Sequence, residues 1–466
     1  MQSGKDAMTT REEQFLDAHV ARAERMTVIS PEEYLKYNTK RGLRNNDGTG
    51  VLVGLTEIGE VHGYIIDEGE RIPAPGRLSY RGIDLSDIVH GFQQQGRFGF
   101  EETVYLLLFG DLPTQASLDE FKSLIGEKRQ LPTGFTEDMV LRAPSSDIMN
   151  KLARSVLVSY SYDDAAEVRT VKNILHQAIE LIARFPTIVA YAYQAKRHYF
   201  DGESLFIHAP EPDLSSAENF LQMIRPDREY TPLEAETLDL ALVLHAEHGG
   251  GNNSAFTVHV VSSAATDAYS VIAAAVGSLK GSKHGGASYR VREMMKDIEA
   301  HVSDWSDADE VQAYLERILR KEAGDGSGLV YGMGHAVYTV SDPRAILLKQ
   351  KAAELAAEKG RDDQFNLYRL VESMTPAAFR AVKGFDRVIA PNVDFFSGFV
   401  YSMLNIPEDL YTPIFAASRI SGWCAHLLEE HVSGSRIIRP AYKCVMPRRP
   451  YIPIGERKPA GKSLPA

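Results

Sequence analysis

Cysteine is nearly missing from this chain. Of 466 residues only Cys424 and Cys444 carry a thiol, and no paired CxxC spacing occurs. That argues against a structural zinc site and a secreted disulfide framework, and it fits a reducing interior such as the cytoplasm. Uninterrupted apolar runs are missing too. The most apolar region, Ala255 to Leu279, is broken by His259, Asp267 and several Ser and Thr residues, so it reads as protein core and not as a membrane span. The amino-terminal stretch scatters both charges without a continuous apolar segment, unlike a secretory signal. Basic charge is short: 51 Lys and Arg stand against 63 Asp and Glu, a net charge of −12, which argues against a broad nucleic-acid surface. If the substrates are anions, arginines must be gathered locally. What is present is ordinary globular material, 44% hydrophobic and 24% charged, long enough for two domains with a sizeable core.

Residues 1 to 45 read as mixed-charge helix and linker, and Gly54 to Tyr80, rich in Gly, Pro and Ile, as short strands or turns. From Glu101 the apolar spacing turns helical: Val104, Leu107 and Leu108 share a face, and Asp111-Leu112-Pro113 stops the element. Phe185-Pro186-Thr187 predicts a break between two antiparallel helices. Thr231-Pro232-Leu233-Glu234 is a capping box with proline at the first helical position, so a helix runs from there through Leu244 and delivers His245 and His248. Apart from Asp239 its last turns are apolar all round, the mark of a buried helix. Another helix follows Asp267 and ends at Gly281. Asp342-Pro343-Arg344 opens one that ends near Gly360. The segment Val445 to Ala466 holds five prolines and reads as an extended arm. No internal repeat is visible, and the pattern predicts an all-α fold with a minor amino-terminal β element.

Four segments place an ionisable group beside glycines or small residues, where a ligand can approach the backbone. In His245-Ala246-Glu247-His248-Gly249-Gly250-Gly251-Asn252, two histidines at i, i+3 share a face of a helix end. They could serve a metal, but further ligands are lacking, and for His245, inside an apolar helix, a satisfied core histidine is the simpler reading. In Lys283-His284-Gly285-Gly286-Ala287 a histidine held in a glycine turn can present one ring nitrogen to a substrate, or be plain loop. In the stretch from Gly332 through His335 to Arg344, the arginine falls in a first helical turn, where the dipole disfavours a cation. A bound anion would relieve that conflict; a nearby carboxylate would do the same. In Ala390-Pro391-Asn392-Val393-Asp394-Phe395-Phe396, burial among apolar neighbours would raise the aspartate toward the range of a general base, with helix capping as the competing role. Arg419, in the otherwise uncharged stretch Tyr411 to His426, and Arg439, before Pro440, each ask for an anionic partner.

Together these segments resemble the citrate synthase family. GMGHAVYTVSDPR is similar to its signature, and HAEHGGGNNSAF, LKGSKHGGAS, APNVDFFSG and TPIFAASRISGWCAH to its other landmarks, in the family's order, with Leu78 to Ile83 upstream. The likeness spans roughly Gly54 to Pro440. It implies a nearly all-helical fold: an extension at 1–50, a large helical domain at 51–287 and 401–466, and a small mobile domain at 288–400. It further implies a homodimer whose active sites are shared between subunits. By motif position His284 would polarise the thioester carbonyl, Asp394 would remove the methyl proton, and His335 would donate to the keto oxygen of oxaloacetate. His248, Arg344, Arg419 and, from the partner subunit, Arg439 would bind oxaloacetate. Backbone at Val330, Gly332, Met333 and Gly334 would meet the CoA adenine. No metal or cofactor is implied, since the CoA thioester is itself a substrate. The chain departs from the family's pattern at Thr339, where many relatives carry a basic residue, and at Gly249, Ser288, Asp147 and Ala441.

The implied reaction is condensation of acetyl-CoA with oxaloacetate and water to citrate and CoA. The family's 2-methylcitrate synthases, which take propionyl-CoA, are the alternative, because one methylene shifts selectivity by only ~1–3 kcal/mol. A metal-dependent hydrolase built on His245, His248 and His284 is a remote third reading.

Overall fold

Side chains that accept backbone N–H groups set the helix starts that matter here. The computed structural model describes residues 10–45, 48–67, 70–335, 337–384, 388–434 and 436–457. Among them lie seventeen α-helices and a single three-stranded antiparallel sheet, the all-α architecture with a minor β element. The expected capping box opens the Pro232–His245 helix: the Thr231 hydroxyl accepts from Glu234 N–H, and the Glu234 carboxylate accepts from Thr231 N–H at 3.0 Å. Asp267 caps Ala268–Lys280, and Asp342 caps Pro343–Lys359, which ends on the left-handed Gly360. Asp239, the acidic residue in the otherwise apolar turns of its helix, also has an acceptor's task. Its buried carboxylate takes the Gly99 and Phe100 N–H groups at 2.7 and 3.2 Å and so caps the Phe100–Phe109 helix.

The expected break at Phe185-Pro186-Thr187 does not occur. One helix of 30 residues, Val171–Phe200, passes straight through Pro186. A proline inside a helix costs ~3 kcal/mol, but here Phe185, Pro186, Thr187, Ile188 and Val189 are all buried, and each large apolar side chain so buried returns ~1.5–3 kcal/mol. The Thr187 hydroxyl also donates to Arg129 O at 3.1 Å. Tertiary packing therefore outweighs the local signal.

The chain divides into two compact units, Met1–Val53 with Arg439–Ala466, and Gly54–Ile438. The expected 401–466 segment of the large domain thus contains residues of both. In the first unit the Thr10–Thr27 helix buries no side chain, Pro31–Lys36 follows, and the Lys443 ammonium sits 5.6 Å from the centre of the Tyr37 ring. The described part of the proline-rich segment forms no α-helix or strand; it bends at Met446 and makes a short 3-10 turn at Ile454–Glu456.

In the second unit, β1 (Gly59–Asp67) pairs with β2 (Glu70–Tyr80) from Gly59 opposite Tyr80, with an irregularity between His62 and Tyr64, and β3 (Ile83–Asp84) completes the sheet. The hairpin lies against the loop after His335. An added Cβ would stand 2.6 Å from Val337 O at Gly63 and 2.1 Å from Ser341 O at Gly76, so both glycines serve this close approach. Behind the hairpin, Tyr411–Val432 runs through the core, buried from Tyr411 to Leu427 at most positions, and packs against Phe100–Phe109, Val171–Phe200, Pro232–His245 and Asn253–Ser262. Among the described residues no helix is long and apolar enough to cross a membrane.

Candidate active site

The buried Pro232–His245 helix ends at the core, and the chain turns there through Gly249 (φ 81°) into the Asn253–Ser262 helix, carrying His248 on the turn. Tyr80 of β2 fixes that turn by donating to Val243 O at 3.0 Å and lying 3.3 Å from Glu247 O. The His248 ring meets His335 and Tyr338 edge to face, with centroids 5.2 and 5.5 Å apart, while His335 stacks on Tyr338 at 4.8 Å. His248 Nε2 is buried and finds no hydrogen-bond partner among the described residues. Burial, and next the nearby Arg344 charge, push His248 well below the usual histidine range, so the ring is neutral at pH 7.

His335 has its tautomer fixed by the backbone. The N–H groups of Val337 and Tyr338 both donate to Nδ1 at 3.1 Å, so the ring proton of the neutral form resides on Nε2, which is thereby a donor. His284, in the turn after Ala268–Lys280, places Nε2 3.0 Å from Ser254 Oγ. That hydroxyl accepts from the buried Trp423 Nε1–H at 3.0 Å and lies 2.9 Å from Asn252 Oδ1. Its one proton can go to Asn252 or to His284. Given to His284 Nε2, it puts the imidazole proton on Nδ1, the atom turned away from this network. Burial, reinforced by the Arg419 charge, pushes His284 down to about 4, so it too is a neutral donor.

Asp394 stands in the first turn of Val393–Met403, which is capped by Asn392. It keeps partial exposure, but crowding by protein raises its pKa to about 6, against the pull of Arg344 and Arg419 and with the push of Asp342. Arg344 is buried and forms a two-point pair with Asp342, Nε to Oδ1 at 3.0 Å and Nη2 to Oδ2 at 2.7 Å. The cation in a first helical turn is thus relieved by its own cap residue, the carboxylate alternative that the sequence left open. Asp342 Oδ2 also accepts Val393 N–H at 3.2 Å, which ties the helix of Arg344 to that of Asp394. Arg419 is fully buried. Its Nε donates to His245 O at 2.6 Å, but Nη1 and Nη2 have no hydrogen-bond partner among the described residues. Burial drags its pKa down to about 10 although Glu247 and Tyr80 hold it up.

Within the second unit, then, the Arg344 and Arg419 charges both act on His248 and on Asp394, Arg419 and His248 also meet the field of His284, and His335 touches His248. Arg439 is not among them: it is exposed and belongs to the first unit. In the Val330–Gly334 segment several backbone groups have partners within the protein. Gly334 N–H donates to Ala390 O at 2.7 Å, Asn392 N–H to Gly332 O at 2.9 Å, and Asn392 Nδ2 to Gly334 O at 2.9 Å. These backbone groups join the His335 loop to the Asp394 loop. Gly332 is needed for protein packing, since a Cβ there would meet Val291 at 2.7 Å and Phe395 at 2.9 Å, whereas a Cβ on Gly334 would face open space. Thr339 turns its hydroxyl to Gly63 O at 3.5 Å.

The metal-hydrolase reading also fails. His245 stacks on Phe415 at 4.5 Å, His284 faces Ser254 and His248 faces His335, so the three do not converge. Sequence reasoning missed Tyr338, Ser254 and Trp423, all inside segments it quoted, because a side chain acting on an imidazole has no spacing signal of its own.

Neutral imidazole donors, a carboxylate of raised pKa and unsatisfied buried guanidinium nitrogens suit acid–base chemistry on an anionic substrate. The sequence profile described as citrate synthase, C-terminal domain, matches residues 46–441. The citrate synthase of Haloferax volcanii is 36% identical over 406 residues, 86% of this chain and 94% of the relative. The 2-methylcitrate synthase of Shewanella oneidensis is 32% identical over 389 residues, 82% and 92% of the two chains. Among solved structures, the ternary complex of carboxymethyl coenzyme A and oxaloacetate with citrate synthase from Thermoplasma acidophilum matches with a TM-score of 0.73 at 28% identity, over 90% of this chain and 99% of that one. Citrate synthase from Pyrobaculum aerophilum matches with a TM-score of 0.70 at 30% identity, over 87% and 94%. The chain belongs to the citrate synthase family and is a condensing enzyme of the transferase type.

Proposed function

We propose that the enzyme condenses acetyl-CoA with oxaloacetate and water, giving citrate and CoA. The observation that carries this reading is Arg419: a guanidinium sealed in the core with two unsatisfied nitrogens fits a carboxylate bound at two points. Arg344 and His248 assist it, and Arg439, supplied by the partner subunit of a homodimer, completes the dianion site. His284 donates from Nδ1 to the thioester carbonyl while Asp394 takes a methyl proton. A carboxylate alone is too weak a base for an acetyl thioester, and the hydrogen bond to the incipient enol closes the gap. The enol carbon then bonds to the keto carbon of oxaloacetate as His335 Nε2–H protonates the developing alkoxide. Water finally cleaves the citryl thioester, releasing citrate and CoA thiol. The residues named supply every proton transfer in the condensation, so the proposal includes no metal or cofactor.

In the same reading, residues 288–400 form the small domain, which carries His335, Arg344 and Asp394 and closes on the large one to exclude water from the enol. Segment Val330–Gly334 borders the CoA site through the open side of Gly334. The cytoplasm, which keeps both cysteines reduced, is the proposed location.

The relative that is a 2-methylcitrate synthase favours a second reading, in which propionyl-CoA is the preferred donor. Following free thiol release with oxaloacetate and each thioester in turn decides between them. The first reading expects a higher kcat/KM with acetyl-CoA; a higher value with propionyl-CoA selects the second, and no thiol release with either sinks both.

A further inference from the structure

Apart from the residues assigned to condensation, two more imidazoles meet. His259 on Asn253–Ser262 and His426 on Tyr411–Val432 bring Nε2 and Nδ1 to 3.2 Å, with their rings inclined at 67°. Glu429, one turn beyond His426, has Oε2 3.7 Å from that same Nδ1. One atom from each of the three lies within 4.8 Å of the other two. Ligand atoms about 2.0–2.1 Å from a tetrahedral zinc ion stand about 3.3 Å apart. The histidine pair is already at that spacing, and a turn of the Glu429 side chain brings in the third donor.

Each of the three is held by its far atom. His426 Nε2 pairs with Glu247 Oε1 at 3.0 Å, His259 Nδ1 with Glu430 Oε2 at 2.8 Å, and Glu429 Oε1 accepts Glu57 N–H at 2.7 Å. A carboxylate on the outer nitrogen is the arrangement that orients a metal-ligating imidazole. Glu247 Oε2, Glu429 Oε2 and Glu430 Oε1 are shielded from water and find no hydrogen-bond partner among the described residues. The three carboxylates around the two imidazoles are offset by Arg419 acting on Glu247, by Arg81 acting on Glu429 and by His426, which Glu247 holds up at about 9 against burial. A divalent ion would displace the imidazole proton between the two rings and take over that compensation. A cleft of ≈ 600 Å³ lined by Thr56, Glu57, Arg81, Leu428, Glu429 and Ser433 gives an ion a route to Glu429.

We propose that His259, His426 and Glu429 form a binding site for a divalent transition-metal ion of the zinc class, separate from the condensation chemistry. Two imidazoles and one carboxylate select such an ion over magnesium or calcium, which take oxygen-rich sites, and leave the fourth position to water. The ion fastens two core helices together and, through Glu247, steadies the turn that carries His248.

The probe is zinc itself, dialysed against the full chain after chelator stripping and quantified by mass spectrometry, with excess magnesium present throughout. The expected result is about one equivalent per chain with a raised Tm. His259→Ala and Glu429→Gln should each cut the zinc retained about tenfold or more, while far-UV circular dichroism and thiol release without zinc are kept. Retention of only a few per cent, which leaves a hydrogen-bonded imidazole pair, overturns the proposal. So does full retention in both variants. Should His259→Ala fail to fold, Glu430→Gln removes only the carboxylate orienting His259 and should weaken zinc binding about 10–100-fold; unchanged binding there is again a refutation.

Discussion

At Arg419 the molecule keeps a cation where water cannot reach it and leaves two of its nitrogens unsatisfied. Breaking one side of a buried charge pair costs about 2–5 kcal/mol of binding. Arg419→Met should therefore raise KM for oxaloacetate about 30- to 4,000-fold and abolish the rise in Tm that oxaloacetate produces in the unaltered enzyme, a difference a thermal-shift series reads directly. Asp394→Asn removes the base without touching the guanidinium groups. Turnover should fall about 10²–10⁴-fold with oxaloacetate binding retained, seen as a loss in kcat and not in KM. In the unaltered enzyme kcat/KM should decline as the pH is lowered through about 6, where Asp394 takes up its proton. The raised pKa of Asp394 was legible from its valine and phenylalanine neighbours, although the residue keeps partial exposure. The partner of Arg344 was not, because spacing says that a first-turn arginine needs an anion but not which one.

At the scale of elements, the site depends on close approach between helix and turn. At Gly422, on the core helix, an added Cβ would come within 2.3 Å of Glu247 Oε2 and 2.5 Å of Ala246 O. Gly422→Ala should cost about 1–3 kcal/mol in urea denaturation and should lower kcat/KM, because the turn carrying His248 must shift. Caps at Thr231, Asp267 and Asp342 could be read from sequence since each is a local hydrogen bond within four residues. Pro186 could not, because what holds its helix together is packing contributed by distant segments. The ladder between Gly332–Gly334 and Ala390–Asn392 was hidden for the same reason: nothing in either stretch names the other as its partner.

For the molecule as a whole, neutral buried histidines set the response to acid. His284 titrates at about 4 when folded against 6.5 when free, and burial pushes His245 and His248 well below 6.5 as well. Below pH 6.5 the unfolded chain therefore binds more protons, so this stability is present above 6.5 and drains away as the pH falls toward 4. Asp394, raised to about 6, Asp239, raised to about 8, and His426, raised to about 9, work in the opposite sense. Below about pH 6, however, His426 is protonated folded or unfolded, and only the two carboxyls still oppose the three imidazoles. Tm should accordingly drop between pH 6 and pH 4; a flat profile would mean these imidazoles are hydrated. The family was legible because its motifs are contiguous strings. The grouping of Arg439 onward with the amino-terminal segment was not, since which surfaces meet is decided by folding and not by any one stretch.

Asp342 serves several masters at once: it starts one helix, grips Arg344 in two places and receives the backbone of the segment that presents Asp394. Substrate grip and deprotonation are consequently inherited together. A single exchange at this position would unseat both, whereas damage to either of the residues it holds would spare the other, so the least replaceable side chain near the reaction is one that never needs to meet the substrate.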